Sequence, residues 1–190
     1  VVSPTDLTAE GEKFVKGLAE RNLRIFECGA RRFEKFSDTI NSQGVLAVIR
    51  TDLRKTDDRV LAEARFVLYL DGISDPGNVG TILRTAAAFA VDVVAASPTT
   101  ADFYNPKAIR ASAGTVFRLS LLRMSDARGF FEKLAAHDLE LLGSAPEATA
   151  TIETAVLPDK VCLAIGSEAT GLSPMTREAS RRMFRIKTVD

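Results

Sequence analysis

From residue 65 onward the chain alternates between short apolar runs and amphipathic segments, and this alternation restricts the fold more than any other feature. Runs at 66–70, 91–95, 119–122, 139–142, 161–165 and 183–186 have strand length and are apolar almost throughout. A strand that is apolar on both faces must be covered on both, and strands separated by helices pair in parallel. Helices are expected at 79–89 with Asn78 as N-cap and at 106–111 behind Asn105–Pro106. Two more are expected from a Ser125 cap to about His137, and from Ser173–Pro174 to about Arg182. The expected fold class is therefore α/β, a parallel sheet with helices on both faces. Ligands of such sheets sit beyond the carboxyl ends of the strands. That directs attention to the loops at 71–78, 143–145 and 166–172, each rich in Gly, Ser, Asn or carboxylate.

The first fifty residues read as a separate small α/β unit. A helical stripe of Phe14, Val15 and Leu18 lies within 9–20, strands are expected at 23–28 and 45–49, and a basic helix at 30–36. Residues 37–44 are dense in turn formers, and 51–59 are charged with almost nothing to bury. The expected organisation is a front domain at 1–50, a linker at 51–64 and the alternating domain at 65–190.

Charge and residue usage narrow the chemistry. Lys plus Arg equals Asp plus Glu at 25 each, so binding to nucleic acid by bulk charge is excluded and any contact must come from local patches. No apolar run approaches the ~18 residues of a membrane span, so no membrane partner is expected. The single histidine, His137, leaves no His-based metal cluster and no Ser-His-Asp triad, and no metal is expected. Cys28 and Cys162 form no disulfide framework, which suits a reducing cytoplasm. Cys162 sits in an apolar strand and reads as inert core. Chemistry here must run on Asp, Glu, Asn, Ser, Arg and backbone groups, either alone or together with a reactive cofactor.

Two segments carry it. In DGISDPGNVGTILRTAAAFAVDVV (71–94) the glycines fit neither G-x-G-x-x-G nor a Walker A loop, which argues against a dinucleotide-binding oxidoreductase. Asn78 and Arg84 are six residues apart, about 120° around a helix, so they need not share a face if Asn78 is helical. As a cap, Asn78 leaves the helix geometry, and a long Arg84 can reach back toward the same end of the sheet. In LAIGSEATGLSP (163–174) an apolar strand emerges at Gly166, where a flat ligand can approach the backbone, and exposes Glu168. Each segment alone is equally an ordinary cap or a solvated charge. Together they resemble the SpoU (TrmH) family of RNA ribose 2′-O-methyltransferases, within the knotted SPOUT superfamily. Asn78, Gly80 and Arg84 match the first motif of that family, Gly166, Ser167, Glu168, Gly171 and Leu172 the second, and Ile186 the start of the third. Residues 101–119, with Asn105, Pro106, Ser112 and Gly114, and the front segment 33–50, similar to the end of an L30e-like RNA-binding domain, extend the resemblance over nearly the whole chain.

The resemblance implies a knotted parallel-sheet domain preceded by a partial L30e-like domain. It implies S-adenosylmethionine as methyl donor, with adenosine recognition by Leu142, Gly143, Ser144, Gly166 and Ile186. Asn78, Arg84 and Glu168 become the catalytic candidates. It also implies an RNA substrate, ribosomal before transfer RNA because of the front domain, and a homodimer. The readings left beside this one are a base-methylating SPOUT enzyme and a non-catalytic RNA-binding paralogue. Two departures stand out. Ala90 occupies a position where the family usually has glycine, and the family's Ser-Leu-Asn stretch and final helix would lie past Asp190, so the chain is expected to be part of a longer protein. Ser112 and Gly114 read as structural. The clusters Arg31, Arg32, Lys35 and Arg177, Arg181, Arg182, Arg185 are either RNA contacts or solvated faces.

Overall fold

A computed structural model describes residues 1–37, 42–50 and 58–187, which fall into two compact units, Val1–Asp52 and Leu53–Asp190. In the first unit a 3-10 turn at Pro4–Asp6 precedes α1 (Ala9–Glu20), capped by Thr8, whose hydroxyl accepts the Gly11 amide at 3.1 Å. A single turn, α2 (Ala30–Phe33), buries Phe33. The strands expected at 23–28 and 45–49 do not form. Only Val2 bridges to Glu27 and to Val45, while Leu23, Phe26, Val48 and Ile49 are exposed. An apolar run becomes a strand only where a neighbour continues along it and a layer covers it, and these runs meet only the short segment at Val2 and leave most of their side chains exposed. Part of the expected turn segment, 38–41, and half of the linker, 51–57, lie outside the described residues, and residues 58–63 of that linker form a helix that buries Leu61.

The second unit is built on six parallel strands, β1 (Phe66–Asp71), β2 (Val93–Ala96), β3 (Ser120–Arg123), β4 (Glu140–Ser144), β5 (Val161–Gly166) and β6 (Arg182–Phe184). They lie in the order β3-β2-β1-β5-β4-β6, so β5 is inserted between β1 and β4. Five helices accompany them: α3 (Asp58–Glu63), α4 (Pro76–Ala88), α5 (Pro106–Ala111), α6 (Ala127–Ala136) and α7 (Pro174–Ala179). Successive residues of the central strands point to opposite faces. Val67, Tyr69, Cys162 and Ala164 pack with Leu61 of α3 and Phe130 and Leu134 of α6, whereas Leu68, Leu70, Val94 and Ala96 pack with Val79 and Leu83 of α4 and Ala108 of α5. The parallel sheet covered on two faces is thus the observed one. Cys162 is fully buried, and burial pushes its thiol pKa far up, so it stays protonated in the core.

The helix boundaries differ from expectation for identifiable reasons. α4 begins at Pro76, and its N-cap is Asp75, whose carboxylate accepts the Asn78 amide at 3.2 Å. Asn78 is therefore inside the first turn. Proline has a preset φ and no amide to satisfy, which suits the first helical position. For α6 the cap is Asp126 rather than Ser125, its two oxygens accepting the Arg128 and Gly129 amides at 3.0 Å each. α7 stops at Ala179, not Arg182. The Ser180 hydroxyl donates to the Thr176 carbonyl at 2.7 Å, and the Arg181 amide joins the Leu141 carbonyl at 2.9 Å, which releases the chain into β6.

Gly80 sets how closely α5 packs on α4. A Cβ at that position would lie 2.3 Å from the Ala108 carbonyl oxygen and 2.6 Å from the Ala111 Cβ. Ser112, fully buried at the end of α5, donates its hydroxyl to the Ile109 carbonyl at 2.8 Å, and Gly114 turns the chain with a φ of 82°. Ala90 follows α4 in the left-handed region, with a φ of 52°, where its Cβ is strained. Gly80→Ala is expected to lower the free energy of unfolding by about 1–3 kcal/mol through overpacking. Ala90→Gly is expected to raise it by about 0.5–1 kcal/mol. Urea midpoints at unchanged slope check both signs.

Candidate active site

The pairing of β1 with β5 brings their carboxyl ends side by side, with Asp71 opposite Gly166. Asp71 is buried, and one of its oxygens accepts the Ser173 amide at 2.7 Å. That contact ties the start of α7 to the end of β1. Next in the chain, Gly72 turns with a φ of 74°, and its amide donates to Ser97 Oγ and Thr100 Oγ1 at 3.0 Å each. The loop leading into α4 is thereby fastened to the loop after β2.

After β5 the chain makes a narrow loop and returns on itself. The Ser167 and Gly171 backbones exchange hydrogen bonds of 3.1 and 2.8 Å, and Ser167 Oγ accepts the Ala169 and Thr170 amides at 3.2 Å each. A Cβ on Gly166 would fall 2.1 Å from the Gly171 carbonyl carbon and 2.3 Å from the Leu172 nitrogen. The close approach that demands glycine is therefore that of the protein's own loop. Gly171 completes the turn with a φ of 67°. The loop holds Glu168 at its exposed tip, where Glu168 Oε1 accepts a hydrogen bond from Asn78 Nδ2. The Asp75 cap makes this possible, because it satisfies the Asn78 backbone and leaves the Asn78 amide group to reach across.

Glu168 also lines a cavity of ~680 Å³ at the carboxyl ends of β4 and β5. Of the five residues expected to hold adenosine, Ser144, Gly166 and Ile186 line this cavity. Leu142 and Gly143 do not: Leu142 is buried against Val161 and Phe184, and Gly143 is closed over by the Met183 sulfur and the Leu172 side chain. Arg185 and Lys187 form the basic rim. One wall is braced by an ion pair between Arg177 and Glu147, with Arg177 Nε also donating to the Leu172 carbonyl at 3.2 Å. Arg182 donates through two nitrogens to Glu140 Oε1 at 3.0 and 2.8 Å, and Arg181 stands 3.6 Å from Glu140 Oε2. Three of the four arginines of that basic cluster are thus matched by glutamates.

Arg84 stands apart from the Asn78–Glu168 pair. It is exposed on α4, makes no ion pair or hydrogen bond among the described residues, and lines a second cavity of ~600 Å³ together with Arg118 and Asp92. Sequence reasoning missed Asp71, Asp75 and Glu147. The signal for Asp75 was present in the Asp-Pro pair, a cap followed by proline at the first helical position. Asp71 and Glu147 act through tertiary contacts and left no local sign.

A parallel sheet with a cavity at the carboxyl ends of its strands, beside the inserted strand, defines an α/β protein of the ligand-binding or catalytic kind. A profile of the SpoU rRNA Methylase family matches residues 65–190, and the chain belongs to that family. It is 32% identical over 152 residues to an uncharacterized tRNA/rRNA methyltransferase of Synechocystis sp., covering 80% of this chain and 55% of that protein. It is 27% identical over 167 residues to the 23S rRNA (guanosine(2553)-2′-O)-methyltransferase RlmP of Bacillus subtilis, covering 88% of this chain and 65% of that one. The SpoU methyltransferase AviRb of Streptomyces viridochromogenes, crystallised in complex with AdoMet, superimposes with a TM-score of 0.66 at 25% identity, over 72% of this chain and 57% of that chain. The chain therefore spans between about half and two thirds of these proteins.

The Arg177 guanidinium beside Glu147 holds the glutamate carboxyl below its ordinary range. A depressed pKa in the folded state means the pair is complete above the unfolded value and is lost as pH falls through the folded one. In Arg177→Ala the Glu147 carboxyl is expected to titrate at higher pH, back in the usual glutamate range, as read by carboxyl-carbon NMR.

Proposed function

We propose that the protein transfers a methyl group from S-adenosylmethionine to a ribose 2′-hydroxyl of RNA, ribosomal RNA in particular. The observation that carries this reading is the Asn78–Glu168 pair, formed between the first and second family motifs, with Glu168 on the wall of the carboxyl-end cavity. The names of the Bacillus relative and of the AdoMet-bound neighbour support the substrate and the cofactor. The cavity fits the cofactor in chemistry as well. Ala145 and Ile186 offer apolar contact for an adenine ring, and Ser144 and Gly166 offer backbone polar groups at the ends of β4 and β5.

When bound, S-adenosylmethionine supplies an electrophilic methyl on a sulfonium, and the protein has to place the ribose hydroxyl and manage its proton. Ser144, Gly166 and Ile186 hold the donor in this account, while Leu142 and Gly143 stand behind them, covered by Phe184, Met183 and Leu172. Glu168 holds the Asn78 amide, and Asn78 fixes the edge of the loop against which the nucleotide lies. Arg84 is not a base, because a guanidinium keeps its proton to a pKa above ~12. It grips the RNA phosphate and stabilises the negative charge that grows on the ribose oxygen as its proton passes to water. Because Arg84 and Glu168 line different cavities, a site using both is completed in a homodimer, with Arg84 supplied by a second copy. The reading extends to a cytoplasmic protein with an L30e-like front domain at 1–50 and a knotted domain at 65–190; of the 51–64 linker expected between them, α3 packs Leu61 into the core of the second unit. No helix among the described residues is long and apolar enough to cross a membrane.

Incubation with ribosomal RNA and methyl-labelled cofactor, followed by digestion to nucleosides, is expected to yield a 2′-O-methylnucleoside. A labelled base would overturn the ribose assignment, and RNA binding without label would favour a non-catalytic protein. Arg84→Ala is expected to lower the rate at least ~100-fold while cofactor affinity changes less than ~2-fold, the pattern of a transition-state contact. Arg84→Lys recovers little, since a point charge does not reproduce the planar fork.

A further inference from the structure

The Asn78 side chain is aimed at Glu168 from the first turn of α4, and that turn is held by a residue from a different helix. Lys107, the second residue of α5, donates from Nζ to Asp75 Oδ1 at 2.6 Å, across 32 positions of sequence. The other oxygen of the same carboxylate accepts the Asn78 backbone amide. A three-contact chain therefore runs from Lys107 through Asp75 and Asn78 to Glu168. Two further observations show that the crossing is built into the fold. A Cβ on Gly77 would stand 2.8 Å from Asp75 Oδ2 and 3.0 Å from Lys107 Cε, so the lysine stem passes over the turn through space that glycine leaves open. The base of the lysine is fixed as well, because α5 sits directly on α4 at Gly80 and its first turn is capped by Asn105, which accepts the Lys107 amide at 2.9 Å.

An ion pair so open to solvent, with side chains 59% and 42% exposed, adds little to stability. What it fixes is direction. Without the lysine, the Asp75 carboxylate is free to rotate about its own χ angles while capping Gly77 or Asn78, and the Asn78 amide loses a defined approach to Glu168.

We propose that Lys107 is a positioning residue for the methyl-transfer site, acting through Asp75 to hold Asn78 against Glu168. The proposal rests on the assignment of Asn78 and Glu168 to that site. It differs from a direct RNA contact by Lys107, and the two make opposite kinetic forecasts. In the full protein, Lys107→Met is expected to lower kcat about 5- to 10-fold, the scale of a small misplacement of a reacting group. The KM values for RNA and for S-adenosylmethionine and the melting temperature should stay near those of the wild type. Lys107→Arg, which keeps a donor in reach of Asp75, should restore most of the rate. Asp75→Asn, which keeps the cap and drops the charge, should slow the enzyme similarly, and the double variant should be no worse than either single one. Multiplying effects in the double variant, a raised KM for RNA at unchanged kcat, or an unaltered rate in Lys107→Met would each overturn the proposal. If the wild type transfers no methyl group, the methyltransferase reading itself fails. The positioning role is then decided by the Asn78 side-chain amide resonance, which supports it by moving in Lys107→Met and overturns it by staying in place.

Discussion

The site depends on the insertion of β5 beside β1. Six residues of each strand pair in parallel, from Phe66 opposite Val161 to Asp71 opposite Gly166, and the register decides which residues leave the sheet together. Asn78 and Glu168 are 90 positions apart in the chain, yet they meet because the loops after these two strands start at the same level. A shift of one residue in a parallel pair would reverse every side chain of β5 between the two cores, exchanging Cys162 and Ala164 for Leu163 and Ile165. Core packing on both faces thus fixes the register, and the register fixes the site. Asp71 reinforces it by holding the start of α7 to the end of β1.

Glycines and carboxylates then shape the loops. Gly166 allows the second loop to fold back on its own strand, and Gly80 allows α5 to lie against α4. Asp75, Asp71 and Glu147 are each committed to a backbone amide or a cation at a particular place. This explains how a chain with no net charge can still present selected cations. Glu140 and Glu147 match Arg177, Arg181 and Arg182, which leaves Arg185 on the rim of the carboxyl-end cavity, next to Lys187 with Glu153 beside it, and Arg84 on the wall of another.

Much of this was legible in the sequence. The apolar strands announced a buried parallel sheet, because no other arrangement covers both faces of six such runs. The order of strands followed by Gly-, Ser- and Asn-bearing loops pointed to the carboxyl end of that sheet, where the cavity lined by Ser144, Gly166 and Glu168 lies. The errors came where local and tertiary rules compete. Asn78 was read as a cap because asparagine prefers caps, but the preceding Asp-Pro pair takes that role and moves Asn78 one turn inward. The end of α7 was hidden because Arg181 and Arg182 suit a last helical turn, while the β4 edge draws the same residues into a strand. Leu142 and Gly143 looked like cavity wall from their place at the end of β4, but Met183, Leu172 and Phe184 cover them from elements distant in sequence. The front runs at 23–28 and 45–49 have the composition of strands, but each meets only a single bridge, to Val2.

The central claim is that the cavity between the ends of β4 and β5, and not the cavity beside Arg84, holds the methyl donor. Amide chemical-shift mapping of the protein titrated with S-adenosylhomocysteine, the demethylated product of that donor, tests it most directly. The account predicts saturable shifts at Ser144, Gly166, Glu168 and Ile186, with Ala87 and Arg118 unmoved. Shifts confined to the Arg84 wall, or none at saturating ligand, would contradict it.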